Sequence, residues 1–86
     1  MRITRTARFK KAWGHLTRGE QTLARKAIAN LAADIRYPSL RVKKIQGVED
    51  IWEARVSLSL RITFQIEPNM LVLRNIGHHD ETLKRP

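Results

Sequence analysis

The sequence contains no cysteine and only eight Asp and Glu among its 86 residues. The absence of cysteine excludes a disulfide scaffold and a thiolate metal site. No apolar run approaches the roughly 20 residues that a membrane-spanning helix needs, so we expect no membrane partner and a cytoplasmic location. There are no repeats or low-complexity segments. The length predicts one domain, residues 1–86, with a single modest core.

Basic residues far outnumber these few acids. Seventeen Lys and Arg give a formal net charge of +9. A charge of this sign and size in a small domain favours nucleic acid as a partner, because phosphates attract it whatever their sequence. A generally cationic protein, or one half of a complex with an acidic partner, would have the same composition.

Two alternating runs of residues, 52–56 and 60–66, predict a β-hairpin. A shift of one residue in their pairing would move every side chain to the opposite face. Only a three-residue loop, 57–59, lets the apolar residues of both runs share one face. This register predicts three cross-strand pairs: Arg55 with Arg61, Glu53 with Thr63, and Trp52 with Phe64.

The polar face of this hairpin carries Glu53 between Arg55 and Arg61. Two arginines directly across a hairpin repel each other, so we interpret this face as a site for an anionic group. The alternative is that both arginines hold Glu53 in surface salt bridges, each worth about 0 to 1 kcal/mol.

The N-terminal half predicts a short strand, Arg2 to Thr6, and two helices. Apolar spacings of three and four predict helices over 7–16 and 18–35. A capping-box pattern at 17–20 begins the second helix, and Tyr37-Pro38 ends it. The apolar stripes are Phe9, Ala12, Trp13 and Leu16 in the first helix, and Leu23, Ala24, Ala27, Ile28, Leu31 and Ile35 in the second.

The C-terminal part predicts one more strand, residues 71–76, after a two-residue loop at Pro68-Asn69. In this register Asn75 would face the core, which requires a bulge or a hydrogen-bond partner. Residues 40–45 are predicted to be an extended connector. The order β-α-α-β-β-β predicts an α+β fold, with two N-terminal helices packed on one face of a small twisted antiparallel sheet.

Several charged side chains are expected on the uncovered face or rim of this sheet: Glu53, Arg55, Arg61, Arg74, His78 and His79. Cleavage of RNA through the 2′-hydroxyl needs a base, positive charge at the phosphate and an acid for the leaving oxygen. Histidine can act as acid or base, and arginine offers a planar fork of donors to phosphate. The adjacent histidines are also a weak candidate for a metal site, with His15, Asp80 and Glu81 as the added ligands. Lys43 and Lys44 are more often a solvated pair than a site.

Three segments, 51–56, 60–66 and 73–80, resemble the RelE/ParE superfamily of bacterial toxins from type II toxin-antitoxin modules. Together with the element order, the resemblance covers nearly the whole chain. It implies a toxin that inhibits translation as a ribosome-dependent mRNA endonuclease, cutting in the ribosomal A site without a metal or cofactor.

The resemblance also implies roles for individual residues. Arg61 and Arg55 would stabilise charge at the phosphate, His79 would protonate the leaving group, and Glu53 or Lys43 would assist the base. The residues expected to bind RNA are Lys43, Lys44, Arg74 and His78. The chain departs from the family at Glu53, where many relatives have a basic residue, and at Leu83, where they have tyrosine. Its tail is short, so we expect no C-terminal helix of the kind that some relatives carry.

The implied partners are a cognate antitoxin and the ribosome with its mRNA. An acidic or amphipathic antitoxin segment would cover the toxin in a hetero-oligomer and neutralise its charge. One alternative is a ParE-like inhibitor of DNA gyrase, with the same fold and no nuclease site. A non-catalytic basic RNA-binding module is the other.

Overall fold

Five strands form one sheet and three helices pack against it in the computed structural model, which describes residues 1–86. The strands are β1 (Arg2–Arg5), β2 (Lys43–Lys44), β3 (Trp52–Arg55), β4 (Leu60–Glu67) and β5 (Met70–His78). The helices are α1 (Ala7–Trp13), α2 (Arg18–Ala33) and α3 (His79–Lys84), and a 3₁₀ turn spans Pro38–Leu40. The strand order is β1-β5-β4-β3-β2. The predicted α+β class is confirmed.

The sheet differs from the expected antiparallel one at the edge formed by β1. This strand pairs parallel with β5, with Ile3 beside Leu71, so the sheet is mixed. Parallel strands need a long crossover connection. Here α1, α2 and the β3–β4 hairpin lie between the two strands in the chain.

The predicted register of the β3–β4 hairpin is confirmed. All three predicted cross-strand pairs are present. The Val56 amide donates to the Leu60 carbonyl over 2.9 Å, which closes the loop of residues 57–59. The period of two therefore determined the register, because any slip would bury the charged residues.

A bulge in β5 resolves the position of Asn75. Thr63 pairs with Asn75 and Phe64 with Leu73, so Arg74 is an extra residue in β5. The bulge that the sequence required is present, and it turns Asn75 away from the core to the face that carries Thr63. Its Nδ2 donates to the Arg85 carbonyl over 2.9 Å.

The two long N-terminal helices begin as predicted and end earlier. The capping box of α2 is present: the Thr17 hydroxyl accepts from the Glu20 amide over 3.1 Å, and the Glu20 carboxylate accepts from the Thr17 amide over 2.8 Å. The helix ends at Ala33 because Asp34 is extended and its carboxylate accepts from the Arg36 amide over 2.9 Å. Gly14 caps α1. Residues 43–44 of the predicted connector form strand β2.

The core lies between one face of the sheet and the helices α1 and α2. Leu23 of the predicted α2 stripe is outside it and half exposed. No helix in the structure combines the length and apolar character needed to cross a membrane. The twelve residues of the core cluster are Phe9, Ala24, Ala27, Ile28, Leu31, Leu40, Ala54, Ile62, Phe64, Leu71, Leu73 and Ile76.

The C-terminal tail forms a helix, His79–Lys84, so the expectation of no C-terminal helix was wrong. This helix, α3, packs against β4 and β5. Its Thr82 is 3% exposed and sits against Gly77, where even an added Cβ would lie 2.6 Å from the Thr82 hydroxyl. The expectation of an uncovered polar face was therefore wrong. Only six residues form this helix, too few for a periodic pattern, and its position depends on contacts with distant strands.

Candidate active site

The sheet face opposite the core carries a mostly buried ion pair between β3 and β4. The Arg61 Nε lies 3.8 Å from the Glu53 Oε1, and the two side chains are only 14% and 8% exposed. Alternation put both residues on this face, as predicted. Their burial distinguishes them from the surface salt bridges of the alternative interpretation, which are weak because water competes for them.

The hairpin loop holds the Arg61 guanidinium in place. Its Nη1 donates to the Ser57 carbonyl over 2.8 Å and to the Leu58 carbonyl over 3.1 Å. Its Nε faces Glu53. The Nη2 group makes no hydrogen bond within the protein. Arginine offers five donors in a fixed fork, so the two hydrogens of Nη2 remain available to an anionic ligand.

Lys43 and Lys44 of β2 lie on opposite faces of the sheet, as alternation requires. Lys43 pairs with Glu53 in the β2–β3 register, which places it on the same face as the Glu53–Arg61 ion pair. Lys44 pairs with Trp52, and its Nζ lies 5.7 Å from the centre of the Trp52 ring. Only Lys43 of the two predicted lysines therefore neighbours Glu53.

Arg55 lies opposite Arg61, as predicted, but makes no ion pair with Glu53. It is half-buried and lines a cleft against α2 together with Lys26 and Arg41. The polar face of the hairpin therefore holds one arginine paired with Glu53 and a second arginine at its rim.

The two adjacent histidines contact different parts of the molecule. His78 ends β5 with its Nε2 3.6 Å from the Glu20 carboxylate at the start of α2. His79 begins α3, and its amide donates to the Ser59 carbonyl over 2.7 Å. The His79 Nδ1 lies 3.2 Å from the Asp80 carboxylate. The loop of residues 57–59 thus binds both Arg61 and the backbone of His79, whereas His78 is directed elsewhere.

The C-terminal tail covers Arg74, another predicted phosphate-binding residue. The main-chain oxygen of Pro86 accepts from the Thr63 hydroxyl over 3.0 Å and from the Arg74 Nε over 3.1 Å. The Arg74 Nη1 donates to the Gln65 side chain over 2.7 Å. Sequence alternation predicted that Thr63 and Gln65 lie on this face. It did not indicate that the C-terminal tail packs against this face.

No three His, Asp or Glu side chains lie close enough together to hold a metal ion. Of the candidate ligands, His15, His78 and Glu81 line the same cleft but are not close enough together to share a metal ion. This cleft, of about 560 Å³, lies between α1 and α3, while His79 is held at the hairpin loop.

Comparisons with known proteins identify the fold. No protein-family model and no curated protein sequence matches the chain. Among solved structures, the chain is similar to a RelB-RelE antitoxin-toxin complex from Methanococcus jannaschii, with 17% identity, a TM-score of 0.74, and 95% of this chain and 98% of that chain covered. The YoeB/ParE toxin from Agrobacterium tumefaciens has 13% identity and a TM-score of 0.78 over 92% and 99% of the two chains. A metal-bound toxin from Helicobacter pylori has 23% identity and a TM-score of 0.75 over 94% and 97%.

These similarities extend over nearly the full length of both chains in each pair, and they include the sheet on which Arg61 and Glu53 lie. The expected resemblance is thereby confirmed at the level of the fold. The chain has the RelE/ParE toxin fold.

Proposed function

We propose that this protein is the toxin of a toxin-antitoxin pair and cleaves mRNA on the ribosome. The observation that carries the proposal is the Arg61 guanidinium, which the hairpin loop and Glu53 hold in one orientation with Nη2 free. A fixed cation aimed at the site where charge develops stabilises a transition state without reorganising during the reaction. The shared fold supports the toxin role.

In the proposed reaction a 2′-oxygen of the RNA attacks the adjacent phosphorus. A base removes the 2′-hydroxyl proton, a P–O bond forms to the 2′-oxygen, and the bond to the 5′-oxygen breaks. The products are a 2′,3′-cyclic phosphate and a 5′-hydroxyl, which receives its proton from an acid. Arg61 and Arg55 would donate to the phosphate oxygens, whose negative charge increases in the transition state.

Glu53, Lys43 and His79 are the proposed groups for proton transfer. Glu53 is the carboxylate nearest Arg61, and Lys43 is its cross-strand neighbour. His79 is held by the same loop as Arg61 and keeps its Nε2 free of protein partners. We assign the acid to His79 because a half-exposed imidazole can reach the leaving oxygen and exchange its proton with water.

Substrate and partner binding would use the excess positive charge. Lys43, Lys44, Arg74 and His78 are the proposed contacts to the RNA backbone, where cations hold phosphates without reading sequence. The net charge of +9 suits an acidic antitoxin equally. Chains of this fold occur in RelB-RelE antitoxin-toxin complexes, which supports a hetero-oligomer with an antitoxin here.

Primer extension on a defined mRNA tests the proposal directly. Purified protein is incubated with the message, with and without translating ribosomes. We expect cuts within A-site codons that need ribosomes and that disappear in both Arg61→Lys and His79→Gln. Lys11→Ala, which removes an exposed lysine of α1, should cut as the wild type does. If the mRNA stays intact although expression of the protein arrests bacterial growth, the proposed nuclease activity is contradicted and the toxin has another target.

A further inference from the structure

A second cationic surface borders the hairpin loop that holds Arg61. It is a cleft of about 460 Å³ between α2, the 3₁₀ turn and the hairpin loop. Its cations are Lys26, Arg41 and Arg55, and no acidic residue lines it. We propose that this cleft binds the phosphate backbone of single-stranded RNA as an extension of the site of cleavage, with which it shares Arg55, and that Lys26 and Arg41 are its added contacts. That the ligand is RNA rests on the proposed function.

The cations of the cleft have no partners within the protein. None of its three ion pairs involves Lys26, Arg41 or Arg55. Cations that line one cleft without a carboxylate repel one another. An anionic ligand would remove this repulsion, and phosphate oxygens match the donor geometry of lysine and arginine.

The backbone of Arg41 is a second, independent indication. Arg41 follows the 3₁₀ turn in a left-handed conformation, with φ 45° and ψ 49°. For a residue with a Cβ this conformation costs roughly 1 to 2 kcal/mol, and glycine avoids that cost. The chain nevertheless has an arginine here, and its side chain lines the cleft. Strained backbone conformations of this kind cluster at ligand-binding sites, and of the three such non-glycine residues, Arg41, Asp50 and Asn69, only Arg41 lines this cleft.

Six of the ten residues that line the cleft are charged or polar, and the other four, Leu23, Ala27, Leu40 and Val56, are apolar. Asn30, Ser39 and Ser57 contribute neutral polar groups beside the cations. The groove between α1, α2 and β1 also has three cations, but Ile3, Phe9 and Trp13 form much of its wall. Its Arg25 lies over the Trp13 ring at 5.4 Å. The cleft between α1 and α3 contains the carboxylates of Glu20 and Glu81, which would repel phosphate.

The test uses a single-stranded RNA with 2′-O-methyl riboses, which cannot be cleaved through the 2′-oxygen. Its affinity for Lys26→Ala and Arg41→Gly is measured by fluorescence anisotropy at several salt concentrations. Lys11→Ala is the control for loss of a helical lysine. Asn69→Gly is the control for the relief of backbone strain, since Asn69 also has a left-handed conformation, with φ 57°.

We expect each cleft variant to bind severalfold more weakly. The slope of log K against log salt should become shallower by about 0.7 for each phosphate that the variant no longer neutralises. The two controls should match the wild type. Arg41→Gly should remain at least as stable as the wild type in urea unfolding, so that its weaker binding cannot result from misfolding.

Three results would overturn the proposal. In the first, Lys11→Ala lowers affinity as much as Lys26→Ala, which would mean that the loss of affinity depends on net charge and not on the cleft. In the second, the cleft variants bind the RNA as the wild type does. In the third, poly-L-glutamate competes as well as RNA and responds to the same substitutions, which would mark a surface for acidic proteins. Because the RNA cannot be cleaved and no ribosome is present, the outcome is independent of the nuclease test.

Discussion

Among single residues, Arg61 links the most parts of the candidate site. It pairs with Glu53 on β3, donates to two carbonyls of the hairpin loop, and lies opposite Gly77 on β5. Its loss would therefore affect folding as well as any reaction. Functional tests at this position need a stability measurement beside them.

Arg61→Ala should lower the free energy of unfolding by about 3 kcal/mol, because it leaves the mostly buried Glu53 carboxylate without a partner. Urea unfolding measures this change as a lower midpoint at constant slope. Glu53→Gln should cost less, because Arg61 is the more exposed of the two side chains and keeps its hydrogen bonds to the loop carbonyls. Equal losses in the two variants would contradict this difference in burial.

At the scale of elements, α3 determines which side chains of the sheet meet solvent. Its docking depends on the absence of a side chain at Gly77, since Thr82 fills the space beside it. The same helix begins with His79, whose amide binds the hairpin loop. Undocking α3 would therefore move the proposed acid away from Arg61.

Gly77→Ala should destabilise the protein by about 1 to 3 kcal/mol, because the new methyl group overlaps the Thr82 hydroxyl. Hydrogen exchange should show the loss of protection concentrated in α3. Thr82→Ala removes the only atom within 4 Å of the added Cβ. The Gly77→Ala, Thr82→Ala double variant should therefore recover part of the lost stability. Purely additive effects of the two substitutions would contradict a steric overlap between the new methyl group and the Thr82 hydroxyl.

The start of α2 offers a second test at this scale. Thr17→Ala removes the hydroxyl that accepts from the Glu20 amide and should cost about 1 kcal/mol in urea unfolding. Glu20→Gln keeps an acceptor for the Thr17 amide and should cost less. A larger loss of stability for Glu20→Gln would instead show that the 3.6 Å contact between Glu20 and His78 stabilises the protein.

For the molecule as a whole, the excess positive charge acts on folding and binding in opposite ways. Self-repulsion within a chain of charge +9 opposes the compact state. The same charge attracts phosphate, and that attraction weakens as salt displaces it. Salt should therefore stabilise the free protein while it weakens RNA binding.

The melting temperature should rise as salt increases from about 0.01 to 0.15 M, over which the Debye length falls from about 30 to 8 Å. Circular dichroism at constant pH measures the rise, and RNA affinity measured in the same buffers should fall. Lys11→Glu lowers the net charge and should reduce the dependence of the melting temperature on salt. A melting temperature that falls with salt would show that attractive ion pairs outweigh the repulsion.

Local patterns were sufficient for the α+β class, the start of α2 and the register of the β3–β4 hairpin. Each depends on interactions close in sequence: the capping of Thr17 and Glu20, and the alternation that puts Phe64 inside and Thr63 outside. The sequence also showed that Asn75 requires a bulge or a hydrogen-bond partner, because a polar side chain at a core position would otherwise be buried without a hydrogen bond. Glu53 and Arg61 were placed on one face for the same reason of alternation.

Long-range contacts decided the rest. The contact of His78 with Glu20, the covering of Arg74 by the tail and the docking of α3 on β4 and β5 all join residues far apart in the chain. The left-handed Arg41 and its cleft arise where α2, the 3₁₀ turn and the hairpin loop meet. The sequence by itself determined which residues share a face, because periodicity is a local property. Only the tertiary structure decided which faces are covered and which charges meet, because those depend on the packing of segments far apart in the chain.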